Sequence, residues 1–225
     1  MSDEPRRVLA IDSALAACSV AVLADGRLAA HRFEPMARGH AERLLPMVRE
    51  VVAEAGLGFA DFDLFAVTVG PGHFTGLRVG LAAAQGLALA WGRPLTGVTT
   101  LEAVAAAVPA GDRPLVVALE SKREDLYVQV FAGGRALDRP VSLAPDRVAD
   151  WAWPPGELAL AGDGAARLQP LLAGAGRRSL RLGPDAPDAA AVARLAAGRH
   201  GTAAALPAEP LYLRPPDVTL PKAPR

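Results

Sequence analysis

The sequence predicts an α/β protein of two mixed-sheet lobes, with the second lobe reduced. Three observations point there. The chain has 225 residues, roughly one and a half domains at about 150 residues each, which fits two small lobes better than one. Hydrophobic residues make up 51% and charged residues 21%, with mean hydropathy +0.21. That is enough apolar material to bury a sizeable core and excludes global disorder. One order of strands and helices also runs twice along the chain.

The first copy opens with an apolar strand at 8–11 that ends at Asp12-Ser13. Two further apolar runs, 18–23 and 28–33, flank Asp25-Gly26, a hairpin signal. A helix is predicted over 40–55, because Leu44, Leu45, Val48, Val51, Val52 and Ala55 recur at helical spacing. Gly56 closes it, and Pro46 is expected to bend it or modify its first turn. A buried strand at 64–69 breaks at Gly70-Pro71-Gly72-His73-Phe74-Thr75-Gly76. A second long helix follows over 75–91, with Thr75 as its expected cap. Pro94 restarts the chain as a short strand at 95–98. Thr99 or Thr100 then caps a short helix to about residue 108, with Glu102 in its first turn.

The second copy repeats that order with shorter pieces. Strands are predicted at 115–119, 126–131 and 135–143, the last pair joined by Gly133-Gly134. A short helix at 145–151, a strand at 158–161, a helix at 165–172, a strand at 180–182 and a final helix at 187–197 complete it. A meander continued by alternating helices and strands, present twice, is the duplicated ribonuclease-H-like arrangement of actin-like ATPases and sugar kinases. The expected division is a first lobe over 1–105, a reduced second lobe over 106–208, and a Pro-rich tail over 209–225. That tail carries five prolines and is expected to be extended or disordered.

Charge and composition exclude several classes. Lys+Arg 24 balances Asp+Glu 24, so a globally basic nucleic-acid binder is not indicated. The single cysteine, Cys18, permits no intramolecular disulfide and fits a cytoplasmic setting. The longest apolar stretch, 81–91, falls far short of the roughly 20 residues that span a bilayer. The four histidines, His31, His40, His73 and His200, form no close pair and no His-Glu-x-x-His.

Two motifs touch on phosphate chemistry. Asp12-Ser13 ends the first strand, where a carboxylate and a hydroxyl could meet a metal–phosphate complex across an interlobe cleft. Turn chemistry is the commoner use of those residues, and Ala14 and Leu15 follow in place of glycine. The glycine-rich segment over 70–80 joins a strand to a helix, a place where backbone N–H groups can hold an anion. No Gly-Lys-Ser/Thr follows, so it is not a Walker A loop. Close helix packing through Gly76 and Gly80, or contact with a partner, outranks phosphate binding.

The two long helices carry more weight than any catalytic constellation. The first offers Leu44, Leu45, Met47, Val48, Val51 and Val52, more than one narrow stripe. The second is small and apolar nearly all round. A surface helix needs only one apolar face, so the surplus predicts a partner, either another chain or the other lobe.

Specific motifs then match one family: residues 8–13 (Val-Leu-Ala-Ile-Asp-Ser), 17–21, 40–47, 69–80 (Val-Gly-Pro-Gly-His-Phe-Thr-Gly-Leu-Arg-Val-Gly) and 84–88. The sequence resembles the TsaB family of tRNA threonylcarbamoyladenosine biosynthesis proteins. The match is dense over 8–105 and thins afterwards, although 118–127 and Tyr212-Leu213-Arg214 also resemble it. Ser13 stands where Thr is usual, and His73 where Ser is common in the glycine-rich loop.

The resemblance implies a two-lobed actin-like fold and a non-catalytic role beside a catalytic paralogue, TsaD. TsaE and an ATP-dependent cycle complete the machine, which transfers a threonylcarbamoyl group from an adenylate to an adenosine of tRNA. ATP, metal and threonylcarbamoyl-AMP would belong to the complex, with no cofactor bound by this chain alone. tRNA would be met only through the complex, and no membrane is involved. In the catalytic paralogue two histidines spaced i, i+4 hold a metal. The matching positions here are Thr100 and Val104, and neither side chain replaces an imidazole. Asp12 and Ser13 would be a vestigial nucleotide cleft.

The resemblance also places the partner interface on the two long helices, at His40, Leu44, Leu45, Met47, Val48, Val51, Val52, Thr75, Arg78, Val79, Ala82, Gln85, Gly86 and Leu89. A TsaD heterodimer is expected, with a homodimer through the same helices as the alternative assembly. Val48→Asp or Ala82→Arg is then expected to abolish association while leaving the monomer folded. The rival readings are an active actin-like ATPase or kinase, with Gly162-Asp163-Gly164 as a second phosphate loop, and a zinc peptidase, disfavoured by the missing histidine pair.

Overall fold

The computed structural model describes residues 5–214. The first sheet contains β1 (Arg7–Asp12), β2 (Ala17–Ala24), β3 (Arg27–Pro35), β4 (Leu64–Thr68) and β5 (Leu95–Val98), in the order β3-β2-β1-β4-β5. The β1–β2 and β2–β3 pairs are antiparallel; β1–β4 and β4–β5 are parallel. Asp25 and Gly26 both take positive φ, 48° and 74°. That geometry matches the twist of a tight hairpin and explains why Asp-Gly sits there.

The second sheet contains β6 (Leu115–Glu120), β7 (Leu126–Ala132), β8 (Arg135–Ala136), β9 (Val141–Leu143), β10 (Leu158–Ala161) and β11 (Ser179–Arg181). Its order is β11-β10-β6-β7-β8, with β9 also paired to β7. The expected strand over 135–143 is therefore two pieces. Asp138 explains the break: its side chain accepts from the Val130 N–H at 2.9 Å, a bond a neighbouring strand would otherwise supply. Pro140 also has no N–H to donate to the ladder. The helix expected over 145–151 is only a 3-10 turn, Pro145–Arg147. There the Trp153 indole donates to the Val148 carbonyl at 2.8 Å, which a longer helix would have used itself.

Five helices cover the sheets. α1 (His40–Glu54) runs uninterrupted through Pro46. α2 (Phe74–Trp91), α3 (Thr100–Ala106), α4 (Ala165–Gly174) and α5 (Ala189–Arg199) follow. Thr99 caps α3 in a reciprocal box with Glu102. Asp188 caps α5 by accepting from Ala190 N–H at 2.7 Å. Thr75 does not cap α2: the helix starts at Phe74, His73 stands in the extended cap position, and Thr75 lies exposed inside the first turn. The His73 N–H is instead taken by the Ala14 carbonyl at 2.7 Å.

The core has four layers. α1 and α2 cover one face of the first sheet, around Leu9, Ile11, Phe65 and Val67. The other face, around Val8, Ala10, Leu64 and Ala66, is covered by α5. α3 supplies Leu101 and Val104 to the second sheet, against Val117, Leu119 and Phe131, and α4 covers that sheet's other face. So α5, expected in the lobe over 106–208, packs on the first sheet, while α3, expected in the lobe over 1–105, packs on the second. The boundary at 105 follows the chain; the packing exchanges the two helices. Arg199 of α5 bonds Glu102 of α3 at 2.8 Å and joins them. Part of the predicted tail is also packed: Ala208 and Leu211 lie against the first core. The remainder, 215–225, lies outside the described residues.

Candidate functional site: the α1–α2 face and the strand-end turn beneath it

The turn after β1 sits under the N-terminus of α2. Asp12 and Ser13 are both buried. Asp12 Oδ1 accepts from the Thr68 hydroxyl at 2.6 Å and the Ala14 N–H at 3.2 Å, while Oδ2 is buried without a protein partner. Burial pushes this carboxyl up to about 7, against the lowering effect of the Thr68 and Ala14 hydrogen bonds. The Ser13 hydroxyl donates to the Gly76 carbonyl at 2.8 Å.

Three glycines make this contact possible. A Cβ on Gly76 would lie 2.3 Å from the Ser13 carbonyl oxygen, one on Gly80 2.7 Å from the Ser13 hydroxyl, and one on Gly72 2.5 Å from the Ala14 carbonyl oxygen. The glycine-rich segment thus presses α2 onto the β1–β2 turn. Asp12 and Ser13, expected as a turn and, from the resemblance, as a vestigial nucleotide cleft, present no side chain to solvent and do not fit a metal–phosphate group.

The predicted interface residues fall into two sets. Leu44, Met47, Val48, Val51 and Val52 are buried in the first core beneath α1. Their assignment to a partner surface is corrected, because they hold α1 to its own sheet. Val48→Asp would place a charge in that core and unfold the chain rather than test association. The other set lies outward. Leu45 is 50% exposed and Leu89 86% exposed. Thr75, Arg78, Ala82, Gln85 and Gly86 are exposed, and Val79 is half-buried. α2 is therefore not buried all round: Gly76, Leu77, Gly80, Leu81, Ala84 and Ala88 face inward, and the opposite side shows small and apolar groups to solvent.

At the N-terminal ends of α1 and α2 lies a cavity of about 360 Å³, lined in part by Arg38, His40, His73, Thr75 and Val79. The His40 Nε2–H donates to the Leu15 carbonyl at 2.9 Å. His73 is held below the usual histidine range by burial, then by the positive Lys122 nearby. Sequence reasoning missed the outward Phe74, 58% exposed. Arg78 lies 3.5 Å over its ring, and Tyr212 stacks on it at 6.5 Å between ring centroids. The only sequence signal for Tyr212 was its place in the Tyr-Leu-Arg run.

Thr100 and Val104 share one face of α3, as their spacing requires, and both are wholly buried. Among the described residues no group of three or more His, Cys, Asp or Glu is placed to hold a metal. Cys18 is buried in β2, and burial pushes its thiol up to about 12. No helix among the described residues is long and apolar enough to cross a membrane.

Fold and site together define a two-lobed actin-like protein whose strand-end turn is closed by a helix and whose outer helix face is open. Comparison with known proteins narrows the class. The family model described as "TsaD: tRNA N6-adenosine threonylcarbamoyltransferase" matches residues 34–180. The crystal structure of an uncharacterized protein with similarity to peptidase YeaZ, from Pseudomonas aeruginosa, superposes with TM-score 0.80 at 31% identity, covering 92% of this chain and 99% of that one. The Escherichia coli (strain K12) protein named "tRNA threonylcarbamoyladenosine biosynthesis protein TsaB" is 41% identical over 123 residues, 54% of this chain and 53% of its own length. The chain belongs to the TsaD family and, within it, to the TsaB group, also named YeaZ. The chain spans about half the length of the curated relatives it matches. The (R)-2-hydroxyglutaryl-CoA dehydratase component A of Acidaminococcus fermentans, at TM-score 0.53 and 11% identity, shares the fold alone.

Proposed function

We propose that this chain is a non-catalytic subunit that binds and supports a TsaD-type catalytic subunit in forming N6-threonylcarbamoyladenosine in tRNA. The observation that carries this reading is the outward face of α2, where Ala82, Gln85, Gly86 and Leu89 lie exposed, with Leu45 of α1 half exposed as well. Small residues let a second helix approach closely, and an 86% exposed leucine gains by being covered. The buried Asp12 and Ser13 and the non-ligating Thr100 and Val104 support a supporting rather than a chemical role.

In this reading ATP, metal and threonylcarbamoyl-AMP are handled by the assembled complex, with TsaE as its third component. The complex meets tRNA and works in the cytoplasm. A homodimer would use the same face and compete with the catalytic partner.

Ala82→Arg is the test. Its arginine points away from the core, so the thermal midpoint of the isolated chain should stay within about 2 °C of wild type. Co-purification with a TsaD-type subunit should weaken by roughly 100-fold or more, because a bulky charge enters a desolvated helix seam. Modified adenosine in tRNA should fall with it. Unchanged co-purification would overturn the assignment of the α2 face.

A further inference from the structure

Residues 206–214 trace a path that no element of either sheet requires. Gly97 N–H donates to the Leu206 carbonyl at 2.8 Å, a single antiparallel bridge on β5. Gly97 has no side chain for a reason: a Cβ there would lie 2.5 Å from the Pro207 carbonyl oxygen. Gln85 Nε2 donates to the Ala208 carbonyl at 2.9 Å. Leu211 N–H donates to the Val69 carbonyl at 2.7 Å. Next, Tyr212 stacks on Phe74, and its hydroxyl accepts from Arg78 Nε at 3.1 Å and Nη2 at 3.0 Å. All of these anchors are on the first lobe.

The next anchor is on the second lobe. Arg214 Nη2 lies 2.8 Å from Asp125 Oδ2, and its Nε donates to the Ser142 hydroxyl at 3.2 Å. The Asp125 side chain is only 2% exposed. It sits at the turn between β6 and β7, where the Ser121 hydroxyl donates to its Oδ1 at 3.0 Å and the Ser142 hydroxyl bonds its Oδ2. A carboxylate this deeply buried needs a cation or it is strongly disfavoured. The tail supplies Arg214.

We infer that residues 206–214 form a clasp that crosses between the lobes and holds their relative placement, with Leu211 and Tyr212 as its first-lobe anchor and Arg214–Asp125 as its second-lobe anchor. The geometry suits a clasp better than a loose end. Its first-lobe half is fixed by backbone bonds and core burial, which do not depend on the second lobe. Its last residue reaches a charge buried in the second lobe that cannot serve the first. The inference does not rest on the partner reading above, although Arg78 and Gln85 belong to both, and its test uses the chain alone.

The experiment places spin labels at Arg49→Cys on α1 and Asp150→Cys in the second lobe, both exposed, and measures their distance distribution by pulsed electron resonance. The full chain should give a narrow distribution. Arg214→Gln, at a residue whose side chain is 41% exposed, should broaden it and speed hydrogen exchange over 121–126 by about tenfold. Tyr212→Ala should broaden it as well and expose the Leu211 amide. A tail that merely covers the first lobe predicts an unchanged distance distribution in both variants, and that result overturns the clasp.

Discussion

The two lobes share one strand order and differ in what covers it. In each, a central strand pairs with an antiparallel neighbour on one side and a parallel one on the other, which pairs in turn with a second parallel strand: β3-β2-β1-β4-β5 in the first, β8-β7-β6-β10-β11 in the second. Between β3 and β4 the first lobe inserts the 15-residue α1, whereas between β9 and β10 the second has only the turn Pro145–Arg147. Between the next two strands, α2 has 18 residues and α4 has 10. Strand register cannot drift without moving every side chain to the other face, whereas helical cover can be trimmed. The lobe that kept long helices exposes Leu45, Phe74 and Leu89 on them.

Both lobes also tie their two central parallel strands together at one end with a carboxylate and close glycine contacts. In the first, Asp12 at the end of β1 accepts from the Thr68 hydroxyl at the end of β4. In the second, Asp163 after β10 accepts from Glu120 N–H at the end of β6, at 2.9 Å. Gly72, Gly76 and Gly80 press on Ser13 and Ala14; Gly162 and Gly164 press on Ala118. The first lobe buries its carboxylate completely, and the second leaves Asp163 half-buried. Accordingly burial lifts Asp12 to about 7 and Asp163 to about 6.

Five substitutions break or sharpen this comparison. Gly76→Ala has the largest expected effect: its Cβ meets a backbone oxygen that cannot yield, and destabilisation should exceed about 3 kcal/mol by denaturant unfolding. Gly164→Ala should cost less, because the nearest atom is the flexible end of Leu126, at 2.8 Å. Equal losses at the two sites would mean the lobes are gripped alike.

Asp12→Asn comes next. A carboxyl whose folded pKa is raised from 3.8 to about 7 stabilises fully below the unfolded pKa, and that stability is lost as pH rises through about 7. The wild type should therefore lose about 2–3 kcal/mol between about pH 5 and about pH 8 through this group, and the variant should lack that slope. Asp163→Asn should remove a smaller part of it. Arg199→Ala ranks last. It unties Glu102, which pairs with Arg199 and caps α3 with Thr99 despite the opposing effect of burial. The pair is partly exposed, so the expected loss is about 1 kcal/mol, read as a modest fall in thermal midpoint.

Most of the fold was legible in the chain. Apolar runs at 8–11 and 64–69, the Asp25-Gly26 turn and the periodicity of 40–55 report local constraints: burial on both sides, positive φ and one helical face. Where the sequence reading failed, a distant group had replaced a local one. Asp138 and Pro140 ended a strand by side-chain chemistry, and the Ala14 carbonyl served α2 in place of a Thr75 cap.

The site divides the same way. The sequence alone determined that α1 and α2 hold more apolar surface than one stripe needs and that the glycine-rich segment lacks a phosphate-binding lysine; the resemblance added that Thr100 and Val104 stand where imidazole ligands would be. Only the tertiary structure decided which apolar residues face outward, sending Val48 inward and Leu45 and Leu89 outward. It alone sent α3 to the second sheet and α5 to the first, and brought Arg214 to Asp125. Periodicity encodes that a helix has a face; which neighbour covers the face depends on residues far away in the chain, and that pairing exists only once the two sheets are assembled.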